Sequence, residues 1–104
     1  MFLHNRSTSI SIGTEITVES IRYLGMSITG TASTFTLVFE ASFNGIDYFP
    51  VMGRCADDTT ITFITETSTI NKIVLFDVTT YNKFRARITA INNGYLTVES
   101  NEER

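Results

Sequence analysis

The chain has 104 residues, a formal net charge of −3, one cysteine, one histidine and no tryptophan. The length is that of one small domain, and a folded chain of this mass exposes roughly 5,900 Å², enough contrast with the unfolded chain for a self-sufficient core. The acidic balance and the lack of a basic tract argue against nucleic acid. A lone Cys55 excludes an intrachain disulfide. No apolar run reaches the length of a membrane span, so membrane insertion is not expected, and residues 1–6 lack the apolar core of a signal peptide.

In chain order, the dominant period is two throughout, and no helical period persists. Residues 1–7 read as a mobile end. Ser9 to Ile12 and Glu15 to Glu19 alternate on either side of Gly13. Ile21 to Gly30 reads as a strand with glycine brackets, and Thr31 to Ser33 as a turn. Thr34 to Ser42 is the first long strand, with Phe35, Leu37, Phe39 and Ala41 on one face. Asn44-Gly45 signals a two-residue hairpin, and Ile46 to Met52 returns antiparallel. Gly53 to Thr59, with Cys55 and the pair Asp57-Asp58, is polar and reads as an exposed loop. Thr60 to Thr65 alternates again, and Glu66 to Asn71 reads as a second loop.

Lys72 to Val78 carries the continuous run Ile73-Val74-Leu75-Phe76. Tyr81 stands where a tyrosine corner folds its ring over the chain and bonds its hydroxyl to the backbone. Lys83 to Ile91 turns Phe84, Ala86, Ile88 and Ala90 inward and Arg85, Arg87 and Thr89 outward. Asn93-Gly94 is a second tight turn, Tyr95 to Ser100 a closing strand, and residues 101–104 a frayed tail. The pattern predicts an all-β fold: a single antiparallel β-sandwich over residues 1–104, immunoglobulin-like or jelly-roll, with seven to nine strands.

Nothing here assembles a catalytic centre, so an enzyme is not expected. A hydrolase triad needs a base beside a nucleophile, and His4 lies in the terminus. Asp57-Asp58 lacks the spacing of a calcium loop. No cofactor or metal is expected. Arg85 and Arg87 share one face; they offer a patch for a partner, or pair across strands with acids such as Glu40, Asp77 or Glu99. Tyr48 could display a ring beyond the hairpin for a sugar, or fill the core. The clearest functional clue is surplus apolar surface. Tyr48 to Met52 and Ile73 to Phe76 are apolar on both faces, and no helix is there to cover the second one. Tyr48, Val51, Val74, Arg85 and Arg87 are the candidate contact residues.

The segment Phe39-Glu40-Ala41-Ser42-Phe43-Asn44-Gly45-Ile46-Asp47-Tyr48-Phe49-Pro50-Val51, with Phe76-Asp77-Val78-Thr79-Thr80-Tyr81 and Phe84-Arg85-Ala86-Arg87-Ile88-Thr89, resembles small β-sandwich accessory proteins of tailed bacteriophages and prophages. The resemblance covers residues 34–99. It departs from their pattern at Ala41, which is often Gly there, and at Tyr48, which is often Trp. It implies a non-enzymatic virion protein, a head decoration or a tail or baseplate accessory. Such a protein is made in the bacterial cytoplasm and acts as a homo-oligomer or with other virion proteins. The alternative is a carbohydrate-binding adhesin module that recognises a cell-surface glycan.

Overall fold

The computed structural model describes residues 1–57 and 60–103; the side chains of 56, 57, 60 and 61 fall outside the description, and with them the Asp57-Asp58 pair. The described residues form eleven strands: β1 (Phe2–Ser7), β2 (Ile16–Thr17), β3 (Tyr23–Gly30), β4 (Thr34–Ser42), β5 (Phe49–Pro50), β6 (Gly53–Asp57), β7 (Thr60–Ile64), β8 (Glu66–Thr67), β9 (Lys72–Asp77), β10 (Lys83–Asn92) and β11 (Leu96–Glu103). They build two antiparallel sheets. One has six strands in the order β1-β11-β3-β9-β6-β7; the other runs β2-β10-β4-β5, with β8 also on β4. The fold is an all-β sandwich. The count exceeds seven to nine because β2, β5 and β8 are two-residue strands that only pairing defines.

Alternation in the long strands fills the space between the sheets. Leu24, Met26 and Ile28 of β3, Val74 and Phe76 of β9, and Leu96 and Val98 of β11 point inward from one side. Phe35, Leu37, Phe39 and Ala41 of β4 and Phe84, Ala86 and Ile88 of β10 meet them from the other. Phe76 lies between Phe39 and Phe84, with ring centroids 4.9 and 4.8 Å away. Each large side chain fully buried here contributes roughly 1.5–3 kcal/mol. The chain exposes 5967 Å², as the scaling for its mass requires.

Five local features differ from the sequence pattern. Both end segments are paired in the sheet, the second as far as Glu103. β1 pairs with β11, and Leu3 and His4 are buried. The segment from Gly53 is no loop but a strand hairpin: Gly53 and Cys55 face in and Arg54 faces out, an alternation masked by its polar composition. Asn44-Gly45 does not form a two-residue turn. The Asn44 side chain instead accepts the N–H groups of Ile46 and Asp47, and pairing with β4 resumes only at Phe49. In β10, a bulge at Thr89 sets Ile88 against Leu37 but Ala90 against Thr36, so Ile91 rather than Ala90 packs on the core.

The fifth is Asn93-Gly94, which carries the chain from one sheet to the other instead of closing a hairpin. It runs beside the crossing between β3 and β4. Thr31 N–H and Ala32 N–H both donate to Tyr95 O, at 2.9 and 3.2 Å, and Ser33 N–H donates to Asn92 O at 3.1 Å. At the opposite end, Tyr81 packs against the core and lies 5.1 Å from the Phe43 ring. The corner is held through the backbone, Tyr81 N–H to Val78 O and Asn82 N–H to Ser42 O. Among the described residues the Tyr81 hydroxyl makes no hydrogen bond to the chain upstream.

Candidate functional surfaces

The outer face of the five-stranded sheet gathers three of the five expected contact residues. Arg85 stands opposite Glu40 in the pairing of β10 with β4, and Arg87 is two residues along on the same face. Arg85 Nε donates to Glu40 Oε1 at 2.8 Å, and Arg87 donates through Nε and Nη2 to both Glu40 oxygens at 3.1 Å. Glu15, just ahead of β2, adds a longer contact of 3.6 Å to Arg85. Burial of Glu40 opposes its ionisation, but hydrogen bonds and positive charge from Arg87 and Arg85 prevail and hold its carboxyl below the usual range.

Tyr48 closes this cluster. The Arg85 guanidinium carbon is 3.9 Å from the centre of its ring, a close cation–π contact. The Tyr48 hydroxyl is buried without a hydrogen-bond partner at proper geometry. Burial, and after it the Glu15 carboxylate, push its pKa up. With Arg85 on one face of the ring and the hydroxyl buried, Tyr48 is poorly placed to stack a sugar. The two arginines are consumed by a balanced network rather than held out to an anion. Sequence spacing flags Arg85, Arg87 and Glu40; Glu15 joins through a distant strand and carries no local signal.

Val74 and Val51 are placed otherwise. Val74 is 0% exposed and sits in the core, opposite Met26. Val51 packs on the core and donates its N–H to Phe39 O. The outward residues of β9 are their neighbours in the run, Ile73 at 64% and Leu75 at 44% exposure. A one-residue shift in parity reverses every side chain of a strand, and an unbroken apolar run gives no parity to read.

Ile73 and Leu75 belong to a broad apolar face on the outside of the six-stranded sheet. Tyr23 of β3, Met52 beside β6 and Phe63 of β7 are also exposed there. Asn101, Gly25, Leu75, Arg54 and Phe63 form one transverse row across five adjacent strands. Two shallow grooves meet at Leu75. One is lined by Tyr23, Met52, Arg54, Phe63, Asp77 and Glu103; the other by Met1, Gly25, Ser27, Ile73, Glu99 and Asn101. Gly25 and Phe63 carry no sequence signal that marks them as surface residues.

His4 does not face solvent. Its Nε2–H donates to Ala86 O at 2.5 Å, so Nδ1 is the acceptor for the Ser7 hydroxyl at 3.2 Å. Because β1 and β10 lie in different sheets, this imidazole ties the sheets together. Burial lowers its pKa, and the bond to Ala86 only partly offsets that.

This is an antiparallel β-sandwich whose polar cluster is internally paired and whose six-stranded sheet carries an exposed apolar outer face. Its sequence matches the XepA family model over residues 1–101, and the chain belongs to that family. Among solved structures it is similar to YomS, derived from the SPBc2 prophage, with a TM-score of 0.86 and 22% identity over 96% of this chain and 87% of YomS. It is also similar to the PBSX exported protein XepA, with a TM-score of 0.90 and 22% identity; the match covers 98% of this chain but 36% of XepA, so the chain spans little more than a third of that protein. No curated protein matches it in sequence. At 22% identity, the likeness to these two structures is one of fold.

Proposed function

We propose that the protein is a non-enzymatic structural component of a phage particle, a head decoration or a tail or baseplate accessory, and works by protein–protein contact. The observation that carries this reading is the outer face of the six-stranded sheet, where Tyr23, Met52, Phe63, Ile73 and Leu75 stand exposed together. Contiguous apolar surface of this kind is rare on monomers unless a partner covers it. The partners are other phage proteins or further copies of the chain. The single imidazole, the natural general base, is committed to Ala86 O, which supports contact over turnover.

The test is density-gradient fractionation of phage particles from cells carrying either the wild-type protein or Ile73→Lys/Leu75→Lys. The wild type is expected to band with particles, and the double variant to stay at the top of the gradient while keeping its circular-dichroism spectrum. Equal banding of both, or absence of both from particles, sinks the reading. Light scattering of the purified chain at several concentrations establishes whether copies of it also associate.

A further inference from the structure

Gly25 occupies the middle of β3, an interior strand with β11 on one side and β9 on the other. Glycine weakens a strand interior and often marks close approach of a ligand or another chain. The fold itself does not demand it. Its φ lies outside the left-handed region, and a Cβ built there would meet Leu75 Cδ2 at 3.5 Å and Asn101 O at 3.7 Å, both ordinary contacts. Gly53, by contrast, has no room, because a Cβ would strike Val74 and Phe76. The missing side chain at Gly25 therefore shapes the outside of the sheet, not its inside. It leaves a hollow in the apolar face beside Leu75, with Tyr23 and Ser27 as its outward neighbours along β3.

Charge around the hollow is lopsided. The diagonal neighbours of Gly25 are Glu99 and Glu103 on β11 and Ile73 and Asp77 on β9, three carboxylates and no cation. Arg54 and the Met1 ammonium line the grooves a strand further out. Arg22 adds a third cation at the end of the face, 5.7 Å from the Tyr23 ring. Asp77 accepts from the hydroxyl and the backbone N–H of Thr79, which favours its ionised form. Two copies set face to face would bring carboxylates against carboxylates, in a chain whose net charge is already −3. A second copy is thus the poorer fit.

The geometry points to a docking site for a different protein, one that seats a single apolar side chain in the Gly25 hollow and sets Lys or Arg around it against Asp77, Glu99 and Glu103. This rests on the contact-protein reading and names the chemistry of the partner. Buried apolar anchors ringed by polar contacts carry most of the affinity in such interfaces. The acidic ring steers the encounter and makes it sensitive to salt.

The test is a titration of the 15N-labelled protein with three peptides: Lys-Lys-Phe-Lys-Lys, its Phe→Ala form, and Glu-Glu-Phe-Glu-Glu. The first is expected to shift the amides of Gly25, Ile73 and Leu75, and the other two to leave them in place. Gly25→Val, which fills the hollow with a good strand former, should raise the dissociation constant of the first peptide by about ten-fold or more with no loss of melting temperature. Glu99→Lys/Glu103→Lys should transfer the preference to the acidic peptide, a readout independent of Gly25. Equal binding of the basic and acidic peptides, no binding of any, or unchanged binding by Gly25→Val overturns the proposal. So do concentration-dependent shifts at Gly25 and Ile73 without peptide, which would put a second copy on this face. If Ile73→Lys/Leu75→Lys strips the protein from particles and Gly25→Val does not, the hollow fails while the contact-protein reading stands.

Discussion

Arg87 grips both carboxylate oxygens of Glu40, Nε to Oε1 and Nη2 to Oε2, each at 3.1 Å. With Arg85 on Oε1 as well, a side chain only 7% exposed keeps its charge by holding two cations. Removing that charge strands Arg87 beside a low-dielectric sheet face and leaves Arg85 with its longer contact to Glu15. Because the arginines keep partial access to water, the loss falls short of a fully buried pair. Glu40→Gln is expected to cost about 2 kcal/mol in urea unfolding. A loss below about 0.5 kcal/mol would class the cluster with ordinary surface pairs.

Acid should destabilise the fold in two stages. The His4 pKa is lowered by burial, so the unfolded chain takes up a proton first, and stability drains away as pH falls below about 6.5. Glu40 resists protonation in the fold: burial opposes its charge, but Arg87 and Arg85 win. Its contribution is present above about pH 4.3 and is lost as pH falls through its lower folded value. Urea midpoints measured from pH 7 to 5 should decline for the wild type and stay flatter for His4→Gln. Parallel slopes would remove His4 from the account.

Gly53→Ala should be costly and Gly25→Ala should not. The first drives a methyl group into Val74 and Phe76, and overpacking of this kind costs about 1–3 kcal/mol. The second meets only ordinary contacts and removes a flexible residue from a strand, so its melting temperature should hold or rise. Similar melting temperatures for the two variants would contradict the steric distinction.

Phe76 is the ring that joins the two layers, against Phe39 and Phe84 of the facing sheet. Phe76→Ala is expected to cost about 3–5 kcal/mol. The exposed Phe63→Ala, on the outer face, should cost under about 1 kcal/mol. Chemical denaturation of both variants separates a core ring from a contact ring.

What the sequence made legible follows from where local pattern suffices. β4 alternates over Phe35, Leu37, Phe39 and Ala41, so its inward face was plain, as was the shared face of Arg85 and Arg87. In β9 the run Ile73 to Phe76 is apolar without interruption. Its inward face was decided by register, Val74 on Met26 and Phe76 on Leu24, which no local pattern carries. Ala90 lost its inward place to a bulge set by pairing with β4. Asn44-Gly45 had the residues of a tight turn, yet its side-chain bonds to Ile46 and Asp47 built a wider loop. β1 and the end of β11 looked frayed because each depends on the other. The Gly25 hollow was invisible for a similar reason, since a glycine reads as a turn until its neighbours on both sides are known.

The position of β11 also governs when the molecule can form. It lies between β1 and β3, and the N–H of Ser100 donates to Met1 O, far away in sequence but on the adjacent strand side, at 2.7 Å. β11 follows the other ten strands in sequence, yet it is an inner strand of the larger sheet. While the chain emerges from the ribosome, β1 has no neighbour and β3 shows an open edge, so completion waits until residue 103 has left the exit tunnel. Nascent chains stalled before β11 should be digested by protease, and those released beyond it should resist. Until β11 is in place, the β3 edge stands open to solvent, where it invites pairing with other chains.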